Sequence, residues 1–122
     1  MGSTRIEGSA DCGNSPKNKL AQDIAVGLET SDLDADLLGD DVVWRTSDGQ
    51  EIAGANAIIA ALEKLSAPKK VSVDHAISHG KVGASNGVTM AANGDAHGFA
   101  HVITFTSTSA KKIARIESYR TA

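Results

Sequence analysis

The chain has 122 residues and a formal net charge of −3, from 12 Lys and Arg against 15 Asp and Glu. A chain of this length corresponds to one domain and buries roughly two-thirds of the surface of its unfolded state. The small net charge, without a basic stripe, argues against nucleic acid or an anionic membrane as the main partner. No apolar run approaches the ~18 residues of a membrane span, and the N-terminus lacks the apolar stretch of a secretory signal. The sequence therefore predicts a cytoplasmic protein.

Composition also limits the core and the redox chemistry. Aromatic residues make up 3% of the chain, so the core is expected to consist of Ile, Leu, Val and Ala. Cys12 is the only cysteine, which excludes a disulfide within the chain. Residues 1–14 are rich in Gly, Ser and charge and have no hydrophobic period. We predict a flexible leader over 1–14 and a single domain over 15–122.

The first part of the domain is predicted to contain two helices. Ser15 and Pro16 form a helix start signal, because serine caps free N–H groups and proline fits the first helical position. This helix is expected to end near Thr30. A second, short helix is predicted to begin at Asp32 and to end at Gly39, with the glycine in the left-handed conformation.

A strand, a hairpin turn and a further helix follow. Residues 42–46 alternate in hydropathy, which places Trp44 and Thr46 on the same face of a strand. The Ser-Asp-Gly sequence at 47–49 is typical of a hairpin turn. A helix is expected over 54–66, with its apolar side facing inward.

From residue 70 onward the hydrophobic period is two, which predicts three or four long antiparallel strands. His75 shares a predicted strand face with Val71, Val73 and Ile77. It is therefore expected to point toward the same interior as these apolar side chains. A glycine at 87 in the next strand suggests a bulge or bend.

His101 occupies the corresponding place in a later strand, between Phe99 and Ile103 on one face. The full order is helices, hairpin, helix and then long antiparallel strands. This order predicts an α+β fold, in which a curved, cone-shaped antiparallel sheet packs against the N-terminal helices.

The order and pattern of these elements resemble the nuclear transport factor 2-like (NTF2-like) superfamily, which includes SnoaL-like polyketide cyclases and ketosteroid isomerases. The likeness rests on LLGDDVVW at 37–44, the polar turn after it, I-x-G-x-x-A-I at 52–58, and the closing strands HVITF and IARIESY. It extends from about Pro16 to the C-terminus. The resemblance implies a cystatin-like α+β barrel, a ligand pocket inside the cone and a homodimer formed through the outer sheet face.

The resemblance also allows the catalytic positions of ketosteroid isomerases to be compared. Thr46 stands where those enzymes carry a carboxylate base, and Ile24 is nearest to their tyrosine. His101 stands where they carry a protonated aspartate. Because two of the three roles are lost, the sequence argues against steroid isomerisation by that mechanism.

His101 is the predicted catalytic residue, because an inward-facing imidazole suits acid–base chemistry near neutral pH. A histidine that is only hydrogen-bonded within the cone is the alternative. Six further residues are predicted to line the ligand pocket: Trp44, Thr46, His75, Met90, Phe99 and Tyr119.

No cofactor and no metal are predicted. The sequence has no Gly-rich phosphate loop between a strand and a helix, and no nucleophile elbow. His97 and His101 are four residues apart, which on a strand rising ~3.3 Å per residue separates them by about 13 Å. One metal cannot bridge them, and only a cross-strand pair of His75 and His101 stays open as an alternative.

Two functions are compatible with the sequence. The first is an enzyme of the isomerase, cyclase or hydratase type that acts on a small apolar or mixed-polarity molecule with His101 as acid or base. The second is a non-catalytic ligand carrier or dimeric interaction module, which the missing carboxylate at Thr46 favours.

Overall fold

The computed structural model describes residues 4–13, 15–109 and 112–121. These residues form β1 (Arg5–Glu7), α1 (Pro16–Thr30), β2 (Leu38–Arg45), β3 (Glu51–Ala53), α2 (Ala55–Glu63), β4 (Lys70–His79), β5 (Val82–Met90), β6 (Ala96–Phe105) and β7 (Ile113–Arg120). No helix among them is long and apolar enough to cross a bilayer. The predicted α+β class is confirmed.

All seven strands of the described chain belong to one sheet, in the order β1-β4-β5-β6-β7-β2-β3. The long strands β4 to β7 are antiparallel to one another, as predicted. The sheet is nevertheless mixed, because β1 pairs with β4 and β2 pairs with β7 in parallel. Parallel neighbours need a long connection, and β2 is joined to β7 through most of the domain. The edge strands β1 and β3 do not pair with each other, so the curved sheet stays open instead of closing into a barrel.

Both helices pack against one face of the sheet and form the core with it. Ile24 and Leu28 of α1 and Ile58 of α2 are at most 2% exposed, and they join Ile103 and Ile116 of the sheet in one cluster. Burying a side chain of this size contributes about 1.5–3 kcal/mol relative to leaving it exposed. The core is therefore aliphatic, as the composition predicts.

The first helix begins as its sequence predicts. Ser15 Oγ accepts a hydrogen bond from the N–H of Asn18 at 3.3 Å, and Pro16 occupies the first helical position. The helix ends at Thr30, where Ser31 takes the left-handed conformation with a φ of 60°.

The predicted second helix with a left-handed Gly39 is wrong. Only the single 3₁₀ turn Ala35–Leu37 forms there, and β2 already begins at Leu38. Gly39 is part of this strand, and a Cβ on it would lie 2.9 Å from the carbonyl oxygen of Ile113. The glycine therefore allows β2 to approach β7 closely.

A β-bulge in β4 overturns the prediction that His75 points inward. The register between β4 and β5 shifts between Val73 and His75, so the alternation of side chains moves by one residue. Val73 and Ala76 are buried, whereas the side chain of His75 is 70% exposed. Gly87 makes the bulge sterically possible, because a Cβ there would lie 1.9 Å from the carbonyl oxygen of Ser72.

Part of the predicted leader has regular structure in this fold. Arg5–Glu7 adds a strand to the edge of β4, and Ala10–Cys12 forms a 3₁₀ turn. Gln22 Oε1 accepts hydrogen bonds from the backbone N–H and the hydroxyl of Ser9. These two segments of the predicted leader are held by contacts that are distant in sequence. Residues 1–3 and 14 lie outside the described residues.

The contact between Asp11 and β4 is expected to make the packing of the predicted leader against β4 sensitive to acid. The Asp11 carboxylate accepts the N–H of Ala76 at 3.1 Å and pairs with His75 Nδ1 at 3.0 Å. These hydrogen bonds, the backbone one first, hold the pKa of the Asp11 carboxyl below its ordinary value. A lowered folded-state pKa contributes stability above the unfolded pKa of about 3.9 and loses it as the pH falls through the folded value.

We therefore expect hydrogen-exchange protection of the Arg5–Glu7 amides to fall as the pH is lowered below about 3.9. Asp11→Asn should lower the protection at pH 6 and reduce this pH dependence. Asp74→Asn, at an exposed position of the same strand, serves as the control. The same pH dependence in Asp11→Asn and in the wild type would contradict the prediction.

Candidate functional site

A cavity of about 330 Å³ lies between the two helices and the sheet, at the end where β2 turns into β3. Its volume is near the lower end of the ~300–1,000 Å³ that is common for small-molecule sites. It is lined by Leu28, Glu29, Trp44, Thr46, Ser47, Asp48, Gln50, Ile52, Ala61, Leu65, His101, Ser118, Tyr119 and Arg120. The cavity thus has an apolar wall from the helices and β2–β3, and a polar end where β6, β7 and α1 meet.

Glu29 is the centre of that polar end. Its side chain is 1% exposed, yet three side chains donate hydrogen bonds to the carboxylate. Thr89 and Arg120 donate to Oε1 at 2.7 and 2.8 Å, and His101 Nε2 lies 2.8 Å from Oε2. A buried carboxylate is tolerated when such donors replace its lost hydration. Glu29 therefore joins the last turn of α1 to three strands of the sheet.

A line of hydrogen bonds extends from Glu29 to the wall of the cavity. His101 Nδ1 lies 2.7 Å from Ser118 Oγ, and Trp44 Nε1 donates to the same oxygen at 2.9 Å. Because the indole can only donate, the hydroxyl proton of Ser118 is directed to His101 Nδ1. The proton of the neutral imidazole is then on Nε2, where it faces Glu29. Every polar atom of this line has a partner.

Two carboxyl groups of the lining are held in the ionised form. Burial opposes ionisation of Glu29, but the hydrogen bonds from His101 and Thr89 and the nearby Arg120 charge keep its pKa below the ordinary value. The hydroxyl of Thr46 donates to Asp48 and lowers the pKa of that exposed carboxyl. The buried end of the cavity and its mouth therefore each carry one carboxylate.

Four of the seven predicted site residues line this cavity. His101 is 3% exposed and Trp44 is 8% exposed, so both lie in its wall. Thr46, at the position of the missing base, is half-buried, and Tyr119 stands at the rim with 55% exposure. Ile24, at the position of the family's tyrosine, is buried in the core.

The other three predicted residues lie elsewhere. Phe99 is buried beside His101, with ring centroids 5.3 Å apart, and packs with Val71 and Val73 outside the cavity wall. Met90 is half-buried at the end of β5 and does not line the cavity. His75 is on the outer face because of the bulge, so it does not line this cavity.

Sequence reasoning missed Glu29, Ser118 and Arg120, although two of them follow from patterns. Glu29 lies four residues after the buried Ala25, so it continues the inward face of α1. Ser118 alternates with the buried Ile116, which places it inside. No local signal distinguishes Arg120 from a surface arginine at the end of a strand.

Within residues 4–13, 15–109 and 112–121, no three His, Cys, Asp or Glu side chains are grouped as metal ligands would be. The described polar end of the cavity is a hydrogen-bond network of one carboxylate, one imidazole, two hydroxyls and one guanidinium.

No protein-family profile matches the sequence, and no curated protein matches it. Solved structures do match the fold. An NTF-2 like protein of unknown function from Burkholderia xenovorans LB400 has a TM-score of 0.70 at 16% identity, over 86% of this chain and 83% of that one. An NTF2-like protein of unknown function from Mesorhizobium loti has a TM-score of 0.70 at 12% identity, over 96% of this chain and 100% of that one.

A further similar structure is a candidate isomerase of the SnoaL-like family from Agrobacterium tumefaciens str. C58. It has a TM-score of 0.68 at 11% identity, over 87% of this chain and 98% of that one. At such low identities the likeness concerns the fold and not the site residues. The predicted resemblance is confirmed at that level: the chain has the NTF2-like fold.

Proposed function

We propose that the protein binds a small molecule of mixed polarity in the cavity and catalyses a proton transfer on it, as an isomerase, cyclase or hydratase does. The observation that carries this proposal is the hydrogen-bonded line from Ser118 through His101 to Glu29, which ends in the cavity wall. The candidate isomerase among the similar structures supports the same reaction class.

The geometry suggests how the proton moves. A proton leaves the bound molecule for Ser118 Oγ while the hydroxyl proton of Ser118 passes to His101 Nδ1. The resulting imidazolium faces the Glu29 carboxylate at 2.8 Å, which stabilises it in a region removed from water. Return of the proton to another atom of the molecule completes an isomerisation. During the proton transfer, the apolar wall formed by Leu28, Trp44 and Ile52 would hold the apolar part of the ligand.

The test is turnover and binding on a panel of small ketones, lactones and epoxides. Binding is read from the fluorescence of Trp44, which is the only tryptophan of the chain and lines the cavity. His101→Ala is expected to lower turnover at least ten-fold. His79→Ala, which replaces an exposed histidine, is the control. Unchanged affinity and turnover in His101→Ala would refute the proposal.

A ligand carrier is the second candidate, and two observations favour it. Both ring nitrogens of His101 already have protein partners, and Thr46 supplies no carboxylate at the position of the family's base. A carrier would bind members of the panel and quench Trp44 without converting them. Binding without turnover across the panel would therefore favour the carrier over the enzyme.

We also expect a homodimer through the outer sheet face, with the protein in the cytoplasm. Three apolar side chains on that face are 40% to 60% exposed: Ile77, Val82 and Val88. Exposed apolar groups on one sheet face favour association. Size-exclusion chromatography with mass determination is expected to give twice the chain mass, and Ile77→Lys should shift it toward the monomer. A wild-type monomer at micromolar concentration would contradict this expectation.

A further inference from the structure

The charged residues of the cavity lining do not balance. Three of its residues carry a full charge at neutral pH, and these are Glu29, Asp48 and Arg120. Glu29 and Arg120 neutralise each other, because Arg120 Nη2 lies 2.8 Å from Glu29 Oε1. The Glu29 side chain is 1% exposed and already accepts from three donors, so a ligand has little access to its charge. Asp48 therefore carries the one charge of the described lining that this pair leaves unbalanced.

The Asp48 carboxylate is open to a ligand, in contrast to Glu29. It lies in the turn between β2 and β3, is exposed, and lines the cavity. Its Oδ1 accepts a hydrogen bond from the hydroxyl of Thr46, which lies two residues after Trp44 and lines the cavity with it. This hydrogen bond holds the carboxylate next to the cavity wall. Among the residues that the structure describes, no Lys, Arg or His side chain forms an ion pair with Asp48.

The neutral groups of the lining also suit a positively charged ligand group. Ser47 and Gln50 lie in the same turn as Asp48, and their side chains contain oxygen acceptors for the three N–H donors of an ammonium group. Trp44 and Tyr119 line the cavity as well, and the face of an aromatic ring attracts a cation. A ligand carboxylate would instead meet Asp48 as a like charge.

We propose that the ligand of this cavity carries a positive charge, as an amine does at neutral pH, and that Asp48 binds this group while the apolar part of the ligand contacts Leu28 and Trp44. This inference rests on the proposed ligand site and names its substrate class. Asp48 determines specificity and takes no part in the proton transfer through Ser118 and His101. The attraction between two accessible charges is modest and is screened by salt.

The experiment compares three probes that share one phenylbutyl body, by titrating the fluorescence of Trp44 in the full chain. Phenylbutylamine carries a terminal ammonium group, phenylbutanol a hydroxyl and phenylvalerate a carboxylate. At low salt we expect phenylbutylamine to bind about three- to five-fold more tightly than phenylbutanol, and phenylvalerate to bind most weakly. Salt at about 500 mM should remove most of this preference, since the Debye length is then only ~4 Å. Equal affinity for phenylbutylamine and phenylbutanol at low salt, or tightest binding of phenylvalerate, would overturn the proposal.

Asp48→Asn removes the charge and keeps an oxygen that can accept from the Thr46 hydroxyl. It should lower the affinity for phenylbutylamine about three- to five-fold and leave the affinity for phenylbutanol unchanged. Asp95→Asn is the matched control. It makes the same change of net charge at an exposed aspartate between β5 and β6, which does not line the cavity, and should alter none of the three affinities. The wild-type preference for phenylbutylamine in Asp48→Asn would contradict the role assigned to Asp48.

The outcomes also separate this inference from the ligand site on which it rests. If phenylbutylamine and phenylbutanol bind equally well, the charge preference fails while the ligand site at Trp44 stands. If none of the three probes changes the fluorescence of Trp44, the charge preference and that ligand site fail together.

Discussion

Replacing Glu29 with alanine is expected to lower the free energy of unfolding by about 3–5 kcal/mol, as is typical when one member of a buried charged network is removed. The Thr89 hydroxyl and the Nε2–H of His101 would lose their acceptor in a region closed to water. Arg120 would lose less, because its side chain is 41% exposed and can be hydrated. Urea denaturation measures the change.

Glu63→Ala, an exposed glutamate at the end of α2, is the control and should change the stability by less than about 0.5 kcal/mol. A loss below about 1 kcal/mol in Glu29→Ala would show that the network is not structurally required.

Glu29→Gln removes the negative charge of this residue and nearly preserves its shape. The amide oxygen can still accept from Thr89 and Arg120, but its NH₂ group would face the Nε2–H of His101. We expect a smaller loss, of about 1–3 kcal/mol. The wild type should also lose stability as the pH falls from 4.5, because the pKa of Glu29 is lowered in the folded state. That loss should be reduced in Glu29→Gln, and an unchanged pH dependence would contradict the assignment.

The turns and strands could be predicted because their signals are local. Gly49 has a positive φ of 88° and stands in the hairpin turn at 47–49 that the sequence predicts. The helix at Pro16–Thr30 likewise has its start signal in adjacent residues. Local backbone preferences of this kind need no knowledge of the rest of the fold.

The error at His75 has a non-local cause. The alternation Val71, Val73, His75 predicts one shared face, but a bulge interrupts it. The bulge depends on Gly87 in the neighbouring strand, whose missing side chain makes room for the backbone of Ser72. A pattern within one strand carries no information about its partner's register.

Sequence reasoning found only part of the site, because the missing information is again non-local. His101 stands out in the sequence because a histidine between apolar residues is chemically conspicuous. Its partners Glu29 and Ser118 look like ordinary polar residues, at the end of a helix and in a closing strand. They become functional candidates only when the fold brings them within 2.8 Å and 2.7 Å of the imidazole. The contact with Glu29 spans 72 residues of sequence.

Replacing Ser118 with alanine is expected to lower turnover about 10²- to 10⁴-fold, the usual contribution of a positioned acid or base. The variant removes the hydroxyl that passes protons between the cavity and His101 Nδ1. It also leaves the indole N–H of Trp44 without its acceptor, which should lower the free energy of unfolding by about 1–3 kcal/mol. Turnover should therefore fall further than the loss of folded protein explains.

Ser85→Ala is the matched control for this change. Ser85 is also a buried serine, and it faces His101 across the other neighbouring strand. Its hydroxyl donates to the backbone carbonyl of His75 and does not line the cavity. Ser85→Ala should therefore cost similar stability with little loss of turnover. Wild-type turnover in Ser118→Ala would exclude the relay, because the proton would then reach His101 without passing through the Ser118 hydroxyl.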